Sequence, residues 1–432
     1  MPTINPVKGT HDIIADEADV YAYIDYAFSN VAASFGYRRI VTPILEHTEV
    51  FDRATGEGSD VVRKEMYTFL DKGNRSVTLR PEGTAGVMRS IVTNKLYATP
   101  DMPLKFYYSG SVYRYERPQL GRYREFRQIG VECVGEDSAY LDAETIALAA
   151  RTLQVLGFQD VKLKVNTLGD KASREAYKEA LRSYFGGIID QMCPDCHERL
   201  RLNPLRILDC KVPEDQELVK DAPKMGDYLS EASKQRYQKT LALLDELAIP
   251  YEEDDTLVRG LDYYGEIVFE VHCISPEGND YGAICGGGHY EGILGTFGGP
   301  QELDVGVGFA MGVERVYSLM KELGLIDNLA ETIDAYLMPL GEQAVDFAYR
   351  LADGLRGYGY AVEVPYKTGK LGAMFKRAER KKAKLAIIFG EDELAKQIVQ
   401  VKDLATQNQE EVPVSGLPQY LADHLQEDGE GE

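Results

Sequence analysis

The sequence contains no tryptophan, only six histidines and no long apolar segment. A membrane-spanning helix needs about 20 consecutive apolar residues, and no stretch of this chain approaches that length. The N-terminal residues MPTINPVKGTHDI also lack the basic stretch and apolar core of a secretory signal. We therefore expect a cytoplasmic protein that does not use a membrane.

Several common catalytic motifs are also missing. The chain has no Gly-x-x-x-x-Gly-Lys-Ser/Thr phosphate loop, no His-Glu-x-x-His zinc motif and no Gly-x-Ser-x-Gly nucleophile motif. Three glycines near residue 308 resemble a dinucleotide fingerprint, but Met311 stands where its last glycine should be. With so few histidines, a histidine general base is not evident. Arginines and carboxylates at ordered spacings remain, and these suit polar substrates bound by complementary charge.

The six cysteines lie in a long chain without a secretory signal, which indicates reduced thiols rather than a disulfide framework. Cys193 and Cys196 form a Cys-x-x-Cys pair, Cys210 follows, and His197 is a possible fourth ligand for zinc. Adjacent residues rarely present both side chains to one tetrahedral ion. We assign no metal-binding residue and leave the role of this segment open.

The net charge of −22 is unfavourable for a nucleic-acid partner as a whole, although net charge does not decide what one face binds. Locally the balance reverses, because the segment Tyr366–Leu385 has eight basic residues against the single acid Glu379. This segment is either a solvated helix face or a surface for a polyanion.

Hydrophobic periodicity predicts helices alternating with antiparallel strands, and therefore an α+β fold. The predicted elements of the first part are a helix at Val20–Phe35, a strand at Arg38–Thr42, a hairpin of Met66–Leu70 with Ser76–Arg80, a helix at Gly83–Thr93, paired strands at Phe106–Glu116 and Tyr123–Val134, a strand at Ile267–Cys273, and a strand at Val305–Phe309 followed by a helix at Met311–Leu323.

The pattern changes along the chain and predicts three regions. Residues 1–325 form a first domain, in which the charged and helical segment at about 172–247 is an insertion. Residues 333–425 alternate strands and helices as a compact α/β module. The acidic, glycine-rich residues 426–432 are expected to be a disordered tail.

One predicted strand has an unusual set of residues on a single face. Side chains alternate along a strand, so Phe126, Gln128, Gly130 and Glu132 share one face, and Arg114 lies on the paired strand before an arginine-rich loop. Charge pairing across an exposed hairpin would explain the arginines but not Gln128 and Glu132.

Two further segments combine glycine with arginine. In VGVGFAMGVER (Val305–Arg315), glycines permit close approach of the backbone to a ligand, and Arg315 falls near a helix N-terminus that favours phosphate. Tight packing of helix on sheet explains the same glycines equally well. In VRGLDYY (Val258–Tyr264), Arg259 suits a carboxylate, although Asp262 could simply neutralise it.

Taken together and in order, these segments resemble the bacterial-type histidyl-tRNA synthetases, which are class II aminoacyl-tRNA synthetases. The matching motifs are TLRPEGTA (Thr78–Ala85), YRYERPQLGRYREFRQIGVE (Tyr113–Glu132), RGLDYY (Arg259–Tyr264), GGGHYEG (Gly286–Gly292) and GFAMGVER (Gly308–Arg315). The resemblance covers nearly the whole chain. It implies a class II antiparallel sheet in a catalytic domain and a C-terminal α/β anticodon-binding domain.

The resemblance also implies substrates and residue roles. ATP with Mg²⁺, L-histidine and tRNA(His) would be bound, by a homodimer. Histidine would contact Glu82, Gly83, Thr84, Gln128, Glu132, Arg259, Tyr263 and Tyr264. ATP would contact Arg114, Arg122 and Arg315, with Arg114 and Arg259 as the catalytic pair at the reacting phosphate. The tRNA would contact Lys367, Lys370, Lys376, Arg377, Lys381 and Lys382.

Two residues depart from the family pattern: His289 stands where arginine is usual, and Glu291 replaces an aspartate. These departures leave the role of the glycine-rich segment open. Two alternatives are a synthetase for another amino acid and a non-catalytic, synthetase-like regulator of an ATP phosphoribosyltransferase. Regulators of that kind usually lack the anticodon-binding module, which this chain retains.

Overall fold

The computed structural model describes residues 3–56, 59, 61–118, 121–274, 280–327, 329 and 332–425. The chain divides into two compact units, Met1–Leu329 and Ala330–Glu432. Among the described residues, no helix is both long and apolar enough to cross a membrane. The tail predicted at residues 426–432 lies outside the described residues.

An eight-stranded sheet organises the first unit, and a three-stranded sheet lies beside it. The strands of this unit are β1 (Arg38–Arg39), β2 (Leu45–His47), β3 (Tyr67–Leu70), β4 (Ser76–Leu79), β5 (Leu104–Tyr113), β6 (Glu125–Val134), β7 (Lys162–Thr167), β8 (Glu252–Glu253), β9 (Tyr264–Ile274), β10 (Asp280–Glu291) and β11 (Val305–Gly312). The large sheet has the order β1-β5-β6-β11-β10-β9-β7-β8 and the small one the order β2-β4-β3. Only the two edge pairs of the large sheet, β1 with β5 and β7 with β8, are parallel. The α+β prediction is therefore confirmed.

Ten α-helices surround these sheets in the described part of the first unit. They are α1 (Asp16–Ser34), α2 (Thr48–Thr55), α3 (Thr84–Thr93), α4 (Ala139–Val155), α5 (Lys171–Gly186), α6 (Pro194–Leu202), α7 (Pro213–Val219), α8 (Glu231–Glu246), α9 (Ile293–Thr296) and α10 (Val313–Glu322). Helices α5 to α8 occupy the region predicted as an insertion, between β7 and β8.

The large sheet has two different faces. On one face the apolar side chains of alternate positions, such as Ile129 and Val131, pack against α1, α4 and α10 in a continuous core. Burying such side chains supplies about 25 cal/mol per Å² of apolar surface removed from water. On the other face, α3 and the insertion contribute to a second core that includes Tyr108 and Val268. Polar side chains of β6 occupy the rest of this second face, as the alternation predicts.

Two details differ from the sequence prediction. Strand β1 is shorter than the predicted Arg38–Thr42. Met311, predicted to begin a helix, instead continues β11, because it pairs with Ile129 on one side and Cys285 on the other. The motif GGGHYEG, to which the sequence analysis assigned no strand or helix, begins inside β10. A Cβ at Gly287 would lie 2.6 Å from Phe309 Cβ, so only glycine allows β10 and β11 to approach there.

The second unit is a five-stranded sheet with helices on both faces. Its elements are β12 (Ile333–Pro339), α11 (Glu342–Gly357), β13 (Val362–Glu363), α12 (Leu371–Arg380), β14 (Ala383–Phe389), α13 (Glu391–Lys396), β15 (Ile398–Asp403), β16 (Gln409–Pro413) and α14 (Leu417–Leu425). The strand order is β13-β12-β14-β15-β16. In β16 only Val412 is buried, so this charged edge strand has little hydrophobic pattern.

Candidate active site

The second face of the large sheet carries a cavity of about 570 Å³. That volume lies in the usual range for small-molecule sites. Its floor is formed by strands β6, β9, β10 and β11, and its walls by residues 82–84, residues 258–264 and two residues of the insertion. A pocket built from both sheet and insertion can enclose a polar ligand on several sides.

The residues predicted to bind histidine and ATP all line this single cavity. They are Glu82, Gly83, Thr84, Arg114, Arg122, Gln128, Glu132, Arg259, Tyr263, Tyr264 and Arg315. Segments separated by more than a hundred residues of sequence therefore meet at one place. Their individual roles stay predictions.

Glu132 is the centre of a buried hydrogen-bond network. Its Oε1 accepts from Thr84 Oγ1 at 2.7 Å and from the Tyr108 hydroxyl at 3.4 Å, and its Oε2 accepts from the Tyr290 hydroxyl at 2.6 Å. The residue is 1% exposed. Burial raises the pKa of Glu132 to about 8, although these hydrogen bonds favour its ionised form. This carboxyl group is therefore fixed in position and close to its titration point near neutral pH.

Glu82 closes the N-terminus of α3. Its carboxylate accepts hydrogen bonds from the backbone N–H groups of Thr84 at 2.6 Å and Ala85 at 2.8 Å. These amides have no acceptor inside their own helix, so the carboxylate satisfies them. Burial nevertheless raises the pKa of Glu82 above its ordinary value.

Arg259 lies in the cavity wall beside a carboxylate that the sequence analysis did not single out. Its Nη1 pairs with Glu270, and Glu270 Oε2 is 3.0 Å from His272 Nε2. Burial opposes the charge on Arg259, but Glu270 outweighs it and raises the pKa of the guanidinium. Arg259 Nε is buried and has no hydrogen-bond partner within the described residues. A fixed, charged guanidinium with a spare donor suits an incoming anion.

Gly286 of β10 makes room for that guanidinium. A Cβ at this position would lie 2.7 Å from Arg259 Cζ, closer than real Cβ contacts come. The glycine-rich segment therefore helps to position the Arg259 side chain.

Arg114 also lines the cavity. Its Nε donates to the Pro81 carbonyl at 2.9 Å, and its guanidinium carbon is 5.5 Å from the centre of the Phe126 ring. Glu116 lies between two of the predicted ATP-binding arginines, with Oε1 3.9 Å from Arg114 Nη1 and Oε2 3.5 Å from Arg122 Nη1. Arg122 is the more exposed of the two.

Arg315 lies in the first turn of α10, directly after β11. Its Nη1 donates to the Ala283 carbonyl at 2.5 Å and its Nε to the Gly121 carbonyl at 3.3 Å. Burial lowers the pKa of Arg315, and the nearby Arg122 lowers it further. A bound anion would relieve both effects.

Gln128 and the tyrosine pair complete the predicted set. Gln128 Oε1 is buried and without a hydrogen-bond partner within the described residues, which is unusual for a buried polar atom. The rings of Tyr263 and Tyr264 have centres 4.6 Å apart, and Arg259 lies over Tyr264 at 5.6 Å. The two rings give the cavity an apolar surface close to charged groups such as Arg259. A ligand with a polar ring could pack on this surface and still form hydrogen bonds.

The sequence analysis missed several residues that line the cavity. Glu270 and His272 alternate along β9, and that alternation was a signal that could have found them. Tyr290 was inside a motif already singled out. Asp209 and Lys211 come from the insertion and gave no signal, because only the tertiary fold brings the insertion back to the sheet.

The two departures from the family pattern do not line the cavity. His289 is buried, and its Nδ1 is 3.2 Å from Arg236 Nη2 of α8 and 3.5 Å from Asp142 Oδ1 of α4. Neighbouring residues of a strand point to opposite faces, so Tyr290 faces the cavity while His289 faces these helices. Glu291 pairs with Arg174 at 2.5 Å. Both departures therefore concern packing around the sheet rather than the cavity.

The six residues predicted to bind tRNA lie in the second unit, and all are exposed: Lys367, Lys370, Lys376, Arg377, Lys381 and Lys382. Helix α12 buries Met374 and Ala378 against the sheet and turns its basic side chains outward. Lys381 pairs with Glu363 at 2.7 Å.

Comparisons with known proteins agree with this arrangement. The family described as histidyl-tRNA synthetase matches residues 9–316, and the family described as anticodon binding domain matches residues 334–424. A protein of Bacillus cytotoxicus named histidine–tRNA ligase is 45% identical over 421 residues, which cover 97% of this chain and 98% of that protein.

Solved structures give the same result. The apo histidyl-tRNA synthetase of S. aureus superposes with a TM-score of 0.82 at 36% identity, covering 97% of this chain and 100% of that one. A protein of Bacillus halodurans, described as an ATP phosphoribosyltransferase regulatory subunit/histidyl-tRNA synthetase, gives a TM-score of 0.65 at 19% identity, covering 90% of this chain and 100% of that one. The second likeness is one of fold alone.

Proposed function

Because the chain belongs to the histidyl-tRNA synthetase family, and so forms histidyl-adenylate from ATP and transfers the histidine to tRNA(His), we propose that the cavity on the large sheet is the site of both steps. The observation that carries this proposal is that Arg114, Arg259 and Arg315 line one cavity together with Glu132. Adenylate formation brings the histidine carboxylate, an anion, up to the negatively charged phosphates of ATP. Fixed positive charge at the site stabilises this approach.

Histidine would lie beside Glu132 and the tyrosine pair. We assign Glu82 and Thr84 to its α-amino group, with Gly83 in contact beside them, and Gln128 and Arg259 to its carboxylate. Glu132, Tyr263 and Tyr264 would surround the imidazole. An imidazole N–H donated to Glu132 would favour the ionised form of that carboxyl group and so lower its pKa. A hydrogen-bonded pocket of this kind rejects amino acids whose side chains lack the matching donor.

ATP would lie beside Arg114, Arg122 and Arg315. Arg114 and Arg315 would bracket the phosphates and Arg122 would lie near the nucleotide. The histidine carboxylate attacks the α-phosphate in line and pyrophosphate leaves. The nucleophile is already an anion, so no enzyme base is required, and Arg114 and Arg259 would stabilise the charge that develops at the reacting phosphate.

A divalent cation belongs to the family's chemistry, and the cavity contains a carboxylate that fits it. Glu314 accepts the Arg127 N–H, and burial raises the pKa of Glu314 to about 7, while Glu270 is paired with Arg259. Glu116 has longer contacts to its arginines, 3.9 Å to Arg114 Nη1 and 3.5 Å to Arg122 Nη1, and we propose it as the ligand of this cation. When bound there, Mg²⁺ would neutralise charge on the phosphates of ATP.

In the second step, the 3′-terminal ribose hydroxyl of the tRNA attacks the adenylate carbonyl and AMP leaves. We propose that a phosphate oxygen of the adenylate takes the hydroxyl proton. His272 is the one histidine among the described residues that lines the cavity, and it is held by Glu270. If His272→Gln strongly slows transfer but not adenylate formation, the histidine rather than the phosphate is the base.

The second unit would bind the anticodon region of tRNA(His) through its exposed basic residues. Phosphate contacts from lysine and arginine supply most of the affinity in such complexes. Such a division places recognition of the two ends of the tRNA in separate units.

We also propose a cytoplasmic homodimer. The three-stranded sheet and the segment before it expose apolar side chains, including Val41 (76% exposed), Leu45 (49%) and Leu70 (65%). Neighbouring exposed apolar residues often mark a protein interface. Light scattering on the purified chain should give twice the mass of one chain, and Leu70→Glu should reduce it toward one.

ATP–pyrophosphate exchange measured with each of the twenty amino acids tests the proposed function. We expect exchange with histidine alone. Exchange with a different amino acid would identify another synthetase. No exchange with any amino acid, from a folded protein, would support the regulatory alternative.

A further inference from the structure

Four residues of the insertion that the reaction does not use lie close together. Cys193 precedes α6, Cys196 lies in its first turn, Cys210 follows α6 by eight residues, and Asp215 lies in α7. The three sulfur atoms and one carboxylate oxygen all lie within 4.8 Å of one another. The polar atoms of three separate chain segments therefore converge on one point.

The distances in this cluster match a metal site. With Zn–S bonds of about 2.3 Å, two sulfur ligands at the corners of a tetrahedron lie about 3.8 Å apart. Cys193 Sγ and Cys210 Sγ are 3.8 Å apart. A sulfur and an oxygen ligand would be about 3.5 Å apart, and Cys210 Sγ is 3.2 Å from Asp215 Oδ2. The other pairs of ligand atoms lie within 4.8 Å, so small shifts of the side chains would bring all four around one ion.

The surroundings of Asp215 point the same way. Asp215 is 1% exposed, and within the described residues no lysine, arginine or histidine forms an ion pair with it. Its carboxylate accepts the Cys193 N–H at 3.1 Å and the Cys210 thiol. A buried carboxylate normally has a cation or a metal beside it. His197, the fourth ligand considered from the sequence, is instead exposed and outside the cluster.

We propose that Cys193, Cys196, Cys210 and Asp215 bind one Zn²⁺ in a closed, four-coordinate structural site. Three thiolates favour a soft metal and the carboxylate suits zinc. Binding releases the thiol protons to solvent, and neither the metal nor the sulfur changes oxidation state.

A disulfide between Cys193 and Cys210 explains less. A disulfide needs the sulfur atoms about 2.0 Å apart, and it would assign no role to the Cys196 thiol and leave the buried Asp215 carboxylate without a cation. Zinc accounts for all four residues.

The metal would stabilise the part of the insertion that reaches the active site. Cys210 stands between Asp209 and Lys211, and both of these line the cavity. Just before them, Asn203 Nδ2 donates to Asp262 Oδ1 at 2.8 Å and Arg206 Nη1 donates to the Gly260 carbonyl at 2.5 Å. The zinc-bound segment would thereby hold the loop that carries Arg259.

Metal analysis of the full-length chain, purified without chelator or metal-affinity resin, tests the proposal. We expect about one zinc per chain by mass spectrometry, and less than about a tenth of that in Cys210→Ser and Asp215→Asn. Cys273→Ser is the matched control, because Cys273 is a buried cysteine of β9 outside the cluster, and it should retain the zinc. Chelation under reducing conditions should lower the melting temperature, and added Zn²⁺ should restore it.

A second measurement needs no variant and so does not depend on variant folding. Wild-type chain reloaded with Co²⁺ should show the visible absorption of tetrahedral cobalt and a thiolate-to-cobalt charge-transfer band. The proposal is wrong if the wild-type chain contains no zinc and Zn²⁺ leaves its melting temperature unchanged, or if non-reducing peptide maps show a Cys193–Cys210 disulfide. Equal loss of zinc from Cys273→Ser would reject it as well.

Discussion

The positive charges of the cavity and those of the second unit are held in different ways. In the cavity, Arg114 and Arg315 donate to backbone carbonyls and Arg259 pairs with Glu270, so each guanidinium is fixed before a substrate arrives. The basic residues between Lys367 and Lys382 are exposed to solvent. Fixed charge out of water acts strongly at one point, whereas solvated charge acts weakly and is screened by salt. A single substitution should therefore matter greatly in the first region, and only combined changes should matter in the second.

The largest effect is expected from Arg259→Ala. Removing one fixed donor from a site of developing charge typically costs about 3 kcal/mol, so histidine-dependent pyrophosphate exchange should fall at least about a hundredfold. Arg53→Ala is the matched control, because Arg53 is half-exposed and, among the described residues, pairs only with Glu49 of its own helix. Near wild-type exchange in Arg259→Ala would contradict the assigned role.

The second largest effect is expected from a change that displaces the Arg259 guanidinium. In Gly286→Ala the new methyl group would collide with Arg259 Cζ, and the arginine would have to move. A displacement of about 1 Å can cost on the order of a hundredfold in rate, so we expect exchange to fall by about tenfold to a hundredfold while the fold is retained. Gly354→Ala in α11 is the control, since a Cβ there meets no atom within 4 Å. Unchanged exchange in Gly286→Ala would show that the position of Arg259 is not critical.

Glu132, which is buried in the cavity, provides a test through the pH dependence of stability. The pKa of Glu132 is about 8 in the folded chain and about 4.5 ordinarily, so between these values the folded state keeps a proton that the unfolded state has lost. The wild-type free energy of unfolding must then fall as pH rises through this window. Glu132→Gln lacks this loss, so its stability relative to wild type should increase from about pH 4.5 to about pH 8 and level off above.

Thermal melts of the substrate-free proteins across that range measure the difference. Glu314→Gln is a useful second variant. Because the pKa of Glu314 is about 7, the stability of this variant relative to wild type should level off at about pH 7 rather than at about pH 8. A difference between wild type and Glu132→Gln that does not change with pH would mean that Glu132 titrates near its ordinary value.

Local pattern and motif order were enough to predict the α+β fold and the residues that meet in the cavity. Strand alternation placed Gln128 and Glu132 on one face, because the period of two holds along β6. The extent of β11 could not be predicted in this way, since pairing with both neighbours extends the strand into a segment that has helical periodicity.

Contacts between distant segments were the part that sequence reasoning could not supply. Glu270 and Tyr290 matter because Arg259 and Glu132 lie against them, and no local spacing encodes those pairs. The same is true of Asp215, which replaces the adjacent His197 as the fourth member of the cysteine cluster. Which residues join such a cluster is decided by the tertiary fold. A residue adjacent in sequence, such as His197, need not be near the cluster in space.

The smallest effect is expected where the charges are solvated. Reversing Lys381 and Lys382 to glutamate should weaken tRNA(His) binding by about tenfold at moderate salt and leave adenylate formation unchanged. Each lost phosphate contact lowers the slope of log affinity against log salt by about one, so the slope should fall by about two. The matched control is the double reversal of Arg350 and Lys396, two exposed cations. Their helices, α11 and α13, pack against the sheet face opposite to α12, so the net charge changes equally while the proposed tRNA surface stays intact. Equal weakening by both double variants would mean that overall charge, and not the α12 surface, attracts the tRNA.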